Sequence, residues 1–283
     1  MRVLITGARG LLGAAMIREF GDAEVHALGH QELDVADEPA VIAAVAAARP
    51  DVVINCAAYN DVDRAEQEPA AALRVNALGV LTLARAARRA GAVFVHYGTD
   101  FVFDGEADRP YTEEDPPNPR GIYATSKLLG DWFAGDADPA YVLRVDSLFG
   151  EPGPGGARRG SLGTIIDRIR SGAEVPVFTD RTVSPTYTPD IARATREVIE
   201  RRVPTGVYHC VNAGAARWVE VAEEAARLMG QPFRMKPLTL ETANLAAPRP
   251  RYCALSPAKL AAAGIVMPTW QDALRRHLST TRH

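Results

Sequence analysis

Lysine is scarce. The 283 residues include only Lys127, Lys236 and Lys259, and the remaining 29 of the 32 basic residues are arginines. A lysine kept against such a bias marks a position where a compact ammonium is needed. Cysteine is equally rare: Cys56, Cys210 and Cys253 are odd in number and widely separated. That excludes a disulfide framework and points to reduced core residues. No apolar run approaches the roughly 18 residues of a membrane span. Strand character from Arg2 onward leaves no charged-then-apolar leader, so a cytoplasmic location is expected. With a formal charge of −3 and no long run of like charge, nothing recommends a nucleic-acid or membrane partner, and a metabolite is the expected ligand. The six histidines lack metal-ligand spacing, and no metal site is expected. Internal repeats and low-complexity tracts are also missing.

What is present begins with Lys127, four residues after Tyr123. On a helix these side chains share a face about 5–6 Å apart, where an ammonium favours the ionised form of a neighbouring phenol. The spacing alone is a weak motif. At the other end of the chain, the strand-like Arg2-Val3-Leu4-Ile5-Thr6 runs into Gly7-Ala8-Arg9-Gly10-Leu11-Leu12-Gly13 and then a helical stretch. A glycine turn between strand and helix lets backbone N–H groups and the positive helix end approach a pyrophosphate. By itself the same turn also fits a tight strand-to-helix connection with no ligand.

Apolar strands at 24–28, 52–56, 93–97 and 141–145 alternate with helices at 14–20, 39–48, 70–90 and 123–133. This alternation predicts an α/β fold, a Rossmann-like doubly wound parallel sheet covered on both faces. The pattern changes near Gly150. Residues 151–160 are dense in glycine, proline and arginine and read as a loop over a binding site. The expected organisation is a nucleotide-binding domain over 1–150 and a smaller C-terminal substrate-binding lobe over 151–283. Segments at about 189–211 are expected to return to the sheet, and a final helix to cover 270–278.

These motifs, taken in order, resemble the extended short-chain dehydrogenase/reductase superfamily, which pairs Gly-x-x-Gly-x-x-Gly with Tyr-x-x-x-Lys. Within it the chain is most similar to the dTDP-4-dehydrorhamnose reductase family. The matching segments are Pro50 through Tyr59, Val62-Asp63-Arg64-Ala65-Glu66 and His96 through Gly105. Further matches are Ser184-Pro185-Thr186, Trp218, and Arg249-Pro250-Arg251-Tyr252 with Lys259-Leu260 downstream. The likeness covers nearly the whole chain.

The resemblance implies hydride transfer from a nicotinamide to the C4 ketone of a nucleotide-linked 4-keto-6-deoxysugar. It implies that Tyr123 gives the proton, that Lys127 lowers the tyrosine pKa and holds the nicotinamide ribose, and that Thr99 orients the carbonyl. Gly7, Gly10, Leu11, Leu12 and Gly13 would face the pyrophosphate, Asp34 and Val35 the adenine, and Ala57, Ala58 and Tyr59 the ribose and nicotinamide, with Tyr97 closing the site. Asp34 could instead cap a helix. The second strand ends Leu28-Gly29-His30, without an acidic residue for a ribose 2′-hydroxyl. Arg9 is placed for a 2′-phosphate, so NADPH is expected, with NADH possible. Thr99, Asp100 and Ser147 would meet the nucleotide-sugar substrate.

The chain departs from the family pattern at three places. Gly98 stands where a serine is usual, and Ser147 where rhamnose-forming members have a tryptophan against the sugar. Ala14 and Ala15 replace the acidic residue through which some members bind magnesium at a dimer contact, so that metal site is expected to be absent. A monomer or homodimer is expected. An alternative implied by the same resemblance is a non-catalytic nucleotide-binding subunit like the regulatory subunit of animal methionine adenosyltransferase.

Overall fold

The computed structural model describes residues 1–153 and 160–280. The expected loop over 151–160 therefore lies partly outside the described residues. The sheet is built from β1 (Arg2–Thr6), β2 (Glu24–Leu28), β3 (Val52–Asn55), β4 (Val93–Thr99) and β5 (Ala140–Val145). Along these strands alternate residues face opposite sides. Val3, Ile5, Val52, Ile54, Val95 and Leu143 enter one core, and Leu4, Val53, Phe94 and Val142 enter the other. Both faces are apolar because both are covered, as a parallel sheet requires.

The covering helices follow from local sequence. After β1 the chain enters α1 (Leu11–Glu19), whose N-cap is Gly10. Helix α2 (Glu38–Ala48) starts where the Asp37 carboxylate accepts from Ala40 N, with Pro39 in its first turn. Asp37, then, and not Asp34, is the cap. Next come α3 (Val62–Gln67), α4 (Pro69–Leu73), a π-helical turn at Arg74–Leu78, and α5 (Gly79–Ala90). The combined helix Pro69–Ala90 is long and apolar enough to cross a membrane by length and composition, with mean hydropathy 1.3. The sequence reading passed over it because arginines and Asn76 interrupt the run. Half of its most apolar window is buried inside the molecule, as befits a helix packed on its own sheet.

Helix α6 (Ile122–Ala134) carries the tyrosine and lysine. Beyond β5, the short β6 (Leu148–Phe149) leads to α7 (Gly160–Arg170), β7 (Val175–Phe178), β8 (Thr182–Val183), β9 (Thr186–Tyr187), α8 (Thr188–Arg201) and β10 (Gly206–His209). Strand β10 pairs in parallel with β5, giving six parallel strands in the order β10-β5-β4-β3-β1-β2. Helix α8 lies on the α1 face of this sheet. The chain winds one way from β1 to β2 and the other from β1 through β3 onward. Ligands bind at such a switch point, beyond the carboxyl ends of the strands.

A second core forms away from the sheet, where α7, β7 and β8 meet α9 (Trp218–Met229) and the terminal helix Trp270–Thr280. It holds Leu162, Ile166, Val183, Trp218 and Leu274. Helix α9 is a piece of this lobe that the sequence reading did not assign. Cys56, Cys210 and Cys253 are free.

Candidate active site

The glycine turn is tightly folded against β3. Gly7 has φ +63°, and a Cβ there would lie 2.6 Å from Ala57 N. A Cβ on Gly13 would stand 2.4 Å from Gly7 O, so Gly13 is needed for the close approach of α1 to the turn. Gly10 is different: at 3.2 Å from Gly7 O a Cβ is only crowded, and its backbone faces the cleft. No acidic residue occupies the first turn of α1. The positive end of the helix is therefore left for an anion.

Two connected hollows open here. One, of about 390 Å³, is lined by Gly7, Arg9, Asp34, Val35 and Tyr59, among others. The other, of about 610 Å³, brings together Leu11, Leu12, Tyr97, Thr99, Tyr123 and Lys127 and extends to Asp100, Asp146, Ser147, Arg181, Trp218 and Arg249. Gly10, Ala57 and Ala58 border both.

Helix α6 carries Tyr123 and Lys127, and other motif residues fix the helix. The Glu66 carboxylate accepts from Ile122 N at 2.7 Å, tying the first turn of α6 to α3. Asn76, in the π-helical turn, donates to Ser126 Oγ and to Tyr59 O, and accepts from Tyr59 N. Arg249 pairs with Asp63 at 2.8 Å, which joins two segments far apart in sequence.

The Lys127 ammonium is buried and donates to Tyr97 O at 2.5 Å. Burial draws its pKa down to about 8 against the pull of Asp131. Tyr123 is nearly buried beside Phe101. Burial, reinforced by Asp100, holds its phenol above the ordinary value, partly offset by a hydrogen bond with Thr99. The spacing led to the expectation that the neighbouring lysine would govern the phenol; instead burial dominates, and the Lys127 ammonium is directed to Tyr97 O. Thr99 Oγ1 donates to Asp100 Oδ1 at 2.9 Å. The hydroxyl of Tyr97 points away into the core, 2.7 Å from Thr195 Oγ1, so Tyr97 serves Lys127 through its carbonyl.

Asp34 is exposed at the rim of the smaller hollow and accepts from Ala36 N through Oδ1. The end of β2 differs more from expectation. Glu32, in the turn beyond it, accepts from Gly29 N at 2.9 Å and pairs with the Arg9 guanidinium. An acidic group thus does stand where the sequence reading found none, because the turn folds it back onto the strand end.

Asn55 is another residue the sequence reading missed. Its Oδ1 accepts from Thr6 and from Ala57 N, so its amide nitrogen donates to His96 Nδ1 at 3.2 Å. His96 is fully buried, and burial and Lys127 keep it neutral. Its 3.8 Å approach to Asp131 is therefore not an ion pair. Asp131 pairs instead with Arg144 at 2.9 Å. Among the described residues no group of three or more His, Cys, Asp or Glu could hold a metal ion.

The family model described as RmlD substrate binding domain matches residues 1–283. A probable dTDP-4,6-dihydroxy-2-methyloxan-3-one 4-ketoreductase from Streptomyces antibioticus is 40% identical, covering 97% of this chain and 94% of the relative. A dTDP-4-dehydrorhamnose reductase from Streptomyces griseus is 38% identical, covering 96% and 91%. The crystal structure of a dTDP-4-dehydrorhamnose reductase from Bacillus anthracis in complex with NADP superposes with a TM-score of 0.92 at 31% identity, covering 99% of both chains. Together with the glycine turn, the assembled Thr99, Tyr123 and Lys127, and the Asp63–Arg249 link, these findings show that the chain belongs to the RmlD substrate-binding-domain family.

Proposed function

We propose that this protein is an NADPH-dependent reductase of the C4 ketone of a nucleotide-linked 4-keto-6-deoxysugar. The observation that carries the reading is the convergence of Thr99, Tyr123 and Lys127 on one cleft that continues to the open backbone of Gly10. The glycine turn fits a dinucleotide, since Gly10 faces the hollow and the start of α1 carries no competing carboxylate. NADPH supplies the hydride. The relatives named reductases favour chemistry over the non-catalytic subunit reading.

In this reading Gly7, Gly10, Leu11, Leu12 and Gly13 hold the pyrophosphate, and Arg9 the 2′-phosphate. Asp34 and Val35 border the adenine. Ala57, Ala58 and Tyr59 line the ribose side, while Tyr97 positions Lys127. The lobe beyond residue 150 contributes Arg181, Trp218 and Arg249 to the sugar side, where Thr99, Asp100 and Ser147 also stand. Thr99 donates to the carbonyl oxygen and sets its direction. As negative charge develops on that oxygen, Tyr123 passes its proton across. The phenolate left behind forms in the first turn of α6, where the helix dipole favours it, and Lys127 lies one turn further on.

The test is NADPH oxidation with dTDP-4-keto-6-deoxyhexoses, followed by the absorbance of the reduced nicotinamide, in wild type and in Tyr123→Phe. Loss of a positioned acid lowers turnover by about 10²–10⁴-fold, with NADPH affinity kept within a few-fold. Near-wild-type turnover in the variant removes Tyr123 from the mechanism.

A further inference from the structure

Phe101 is an apolar ring set among polar groups, and the reaction outlined above gives it no part. It lies in the 3₁₀ turn Asp100–Val102 that follows β4, half-buried, and lines the larger hollow together with Thr99 and Tyr123. Separate contacts meet on this one residue. Its backbone N donates to Thr99 Oγ1 at 3.3 Å. Its ring stands edge-to-face with the Tyr123 ring, the centroids 5.5 Å apart and the planes at 89°. The guanidinium carbons of Arg181 and Arg249 lie 5.8 and 5.9 Å from its centroid, within reach of a cation–π attraction.

These contacts fix what the other neighbours leave free. Tyr123 stands in the first turn of α6, and its ring packs besides with the small side chains of Ala65 and Ala72 and with the partly buried Tyr59, Val62 and Ile122. Methyl groups offer a ring a wall but no preferred angle. A T-shaped aromatic partner does prefer one, because the positive edge of one ring seeks the negative face of the other. The groups over Phe101 are themselves anchored. Arg181 donates through Nε to Pro250 O and through Nη2 to Cys253 Sγ. Arg249 donates through Nη1 to Ala247 O and pairs through Nη2 with Asp63 at 2.8 Å. Both arginines come from the chain beyond residue 150 and line the same hollow, so the second lobe presses on a ring that touches the phenol.

A proton donor must stand within about 2.6–3.2 Å of the oxygen it serves, and a misplacement of about 1 Å can cost roughly 10²-fold in rate. Resting on the reductase reading, we propose that Phe101 is a positioning residue whose ring aims the Tyr123 phenol at the substrate carbonyl and through which Arg181 and Arg249 act on proton transfer. Phe101 itself gives and takes no proton. Were it packing alone, loss of the ring would lower stability and leave the turnover of the folded molecules untouched.

Measurements on the full chain test this. Steady-state reduction of dTDP-4-keto-6-deoxyhexoses with NADPH compares Phe101→Leu, which keeps an apolar side chain and removes the ring, with Phe101→Tyr, which keeps the ring. The leucine variant should lose about ten-fold or more in kcat, with KM and NADPH affinity within a few-fold. Its solvent deuterium isotope effect on kcat should rise, since proton transfer becomes the slower step. The tyrosine variant should recover most of the loss. A normal kcat in the leucine variant, a rise in KM alone, an unchanged isotope effect, or a tyrosine variant as slow as the leucine one overturns the proposal.

The part played by the lobe has its own test. Arg249→Lys keeps a charge beside Asp63 and removes the planar guanidinium over the ring. It should lower kcat several-fold when Phe101 is present and hardly at all in Phe101→Leu, whereas independent roles would multiply. Equal fold losses in both backgrounds overturn the proposal. A further measurement needs no substrate: in denaturant unfolding the stability losses of Phe101→Leu and Arg249→Lys should fail to add in the double variant, as for residues in contact. Additive losses overturn the proposal whatever the protein reduces. If Phe101→Leu does not fold, Phe101→Met fills similar space without a ring, and the same outcomes apply. Failure of the reductase reading itself looks different: the wild type oxidises no NADPH with any 4-keto nucleotide sugar, while the two stability losses still fail to add.

Discussion

Gly98 and Asp131 press against each other: a Cβ at residue 98 would stand 2.6 Å from Asp131 Oδ1 and 2.8 Å from Arg144 Cγ. The glycine that departs from the family's serine is thereby explained. The Asp131–Arg144 pair is buried at 2.9 Å, one helical turn beyond Lys127, and fills the space a side chain at 98 would need. Breaking such a pair leaves an uncompensated buried charge, so it does not move aside freely. Gly98→Ser should destabilise the protein by about 1–3 kcal/mol, the usual range for overpacking, measured by denaturant unfolding. Unchanged stability would mean that the pair relaxes without cost.

Under the proposed reading, Lys127 should couple activity and stability in opposite senses. Its pKa falls from 10.5 to about 8 in the folded protein, so between those values the unfolded chain binds more protons and stability rises with pH. Below pH 8 the full cost of burying the ammonium is present. Lys127→Met should therefore be more stable than wild type at neutral pH, by no more than about 3 kcal/mol, and the difference should shrink as pH rises from 8 toward 10.5. Its NADPH affinity and turnover should both fall. In the wild type, reduction should decline as pH passes upward through about 8. A less stable Met variant with normal turnover would overturn both parts.

Thr99, Tyr123 and Lys127, which the structure brings to one cleft, were legible in the sequence because residue type and local spacing mark them, with Tyr123 and Lys127 on one helix face and Thr99 closing a buried strand. The sheet was legible for a similar reason. Runs such as Val52-Val53-Ile54 are apolar throughout, and only a strand covered on both faces reads that way. Glu32, Asp146 and Arg181 were not legible as site residues. Asp146 and Arg181 stand outside the regular strands, in segments whose geometry brings them to the larger hollow, and the exposed Glu32 is folded by its turn back onto Gly29 N. Ser147 at φ +46° is an example: its left-handed backbone directs the chain away from β5 just after Asp146. Helix α9 was missed although Gly230 closes it in the left-handed conformation and the Glu220 carboxylate accepts from Arg217 N at its start, because an arginine stands at the N-cap where Ser, Thr, Asp or Asn would mark it.

Arg9 and Glu32 form an ion pair at the end of β2, and under the proposed reading both bear on cofactor choice. If Arg9 turns from Glu32 to a 2′-phosphate on binding, Arg9→Ala loses a charge-assisted contact of about 1.5–3 kcal/mol for NADPH and not for NADH. Selectivity should move toward NADH by about ten-fold or more. Glu32→Gln should act oppositely, freeing Arg9 and removing an acceptor for the ribose 2′-hydroxyl, so preference for NADPH should rise. Binding constants for both cofactors in both variants decide the matter. Equal losses for the two cofactors would reduce Arg9 to a support for the turn.

Ser147 tests the sugar side. It borders the larger hollow, and its hydroxyl is spent on Asp146 Oδ1. A small residue here leaves room where rhamnose-forming relatives carry an aromatic ring. Ser147→Trp should re-rank 4-keto sugars by about 1–3 kcal/mol in kcat/KM, while NADPH binding stays within a few-fold. The left-handed backbone adds a cost of about 1–2 kcal/mol for any non-glycine residue, which Ser147 already bears, so that cost should not separate the tryptophan variant from wild type. Ser147→Gly supplies the control, relaxing the backbone and removing the hydroxyl without filling the hollow. Re-ranking in the tryptophan variant alone places residue 147 against the sugar. An equal loss for every sugar, or a loss confined to NADPH binding, puts the substrate elsewhere.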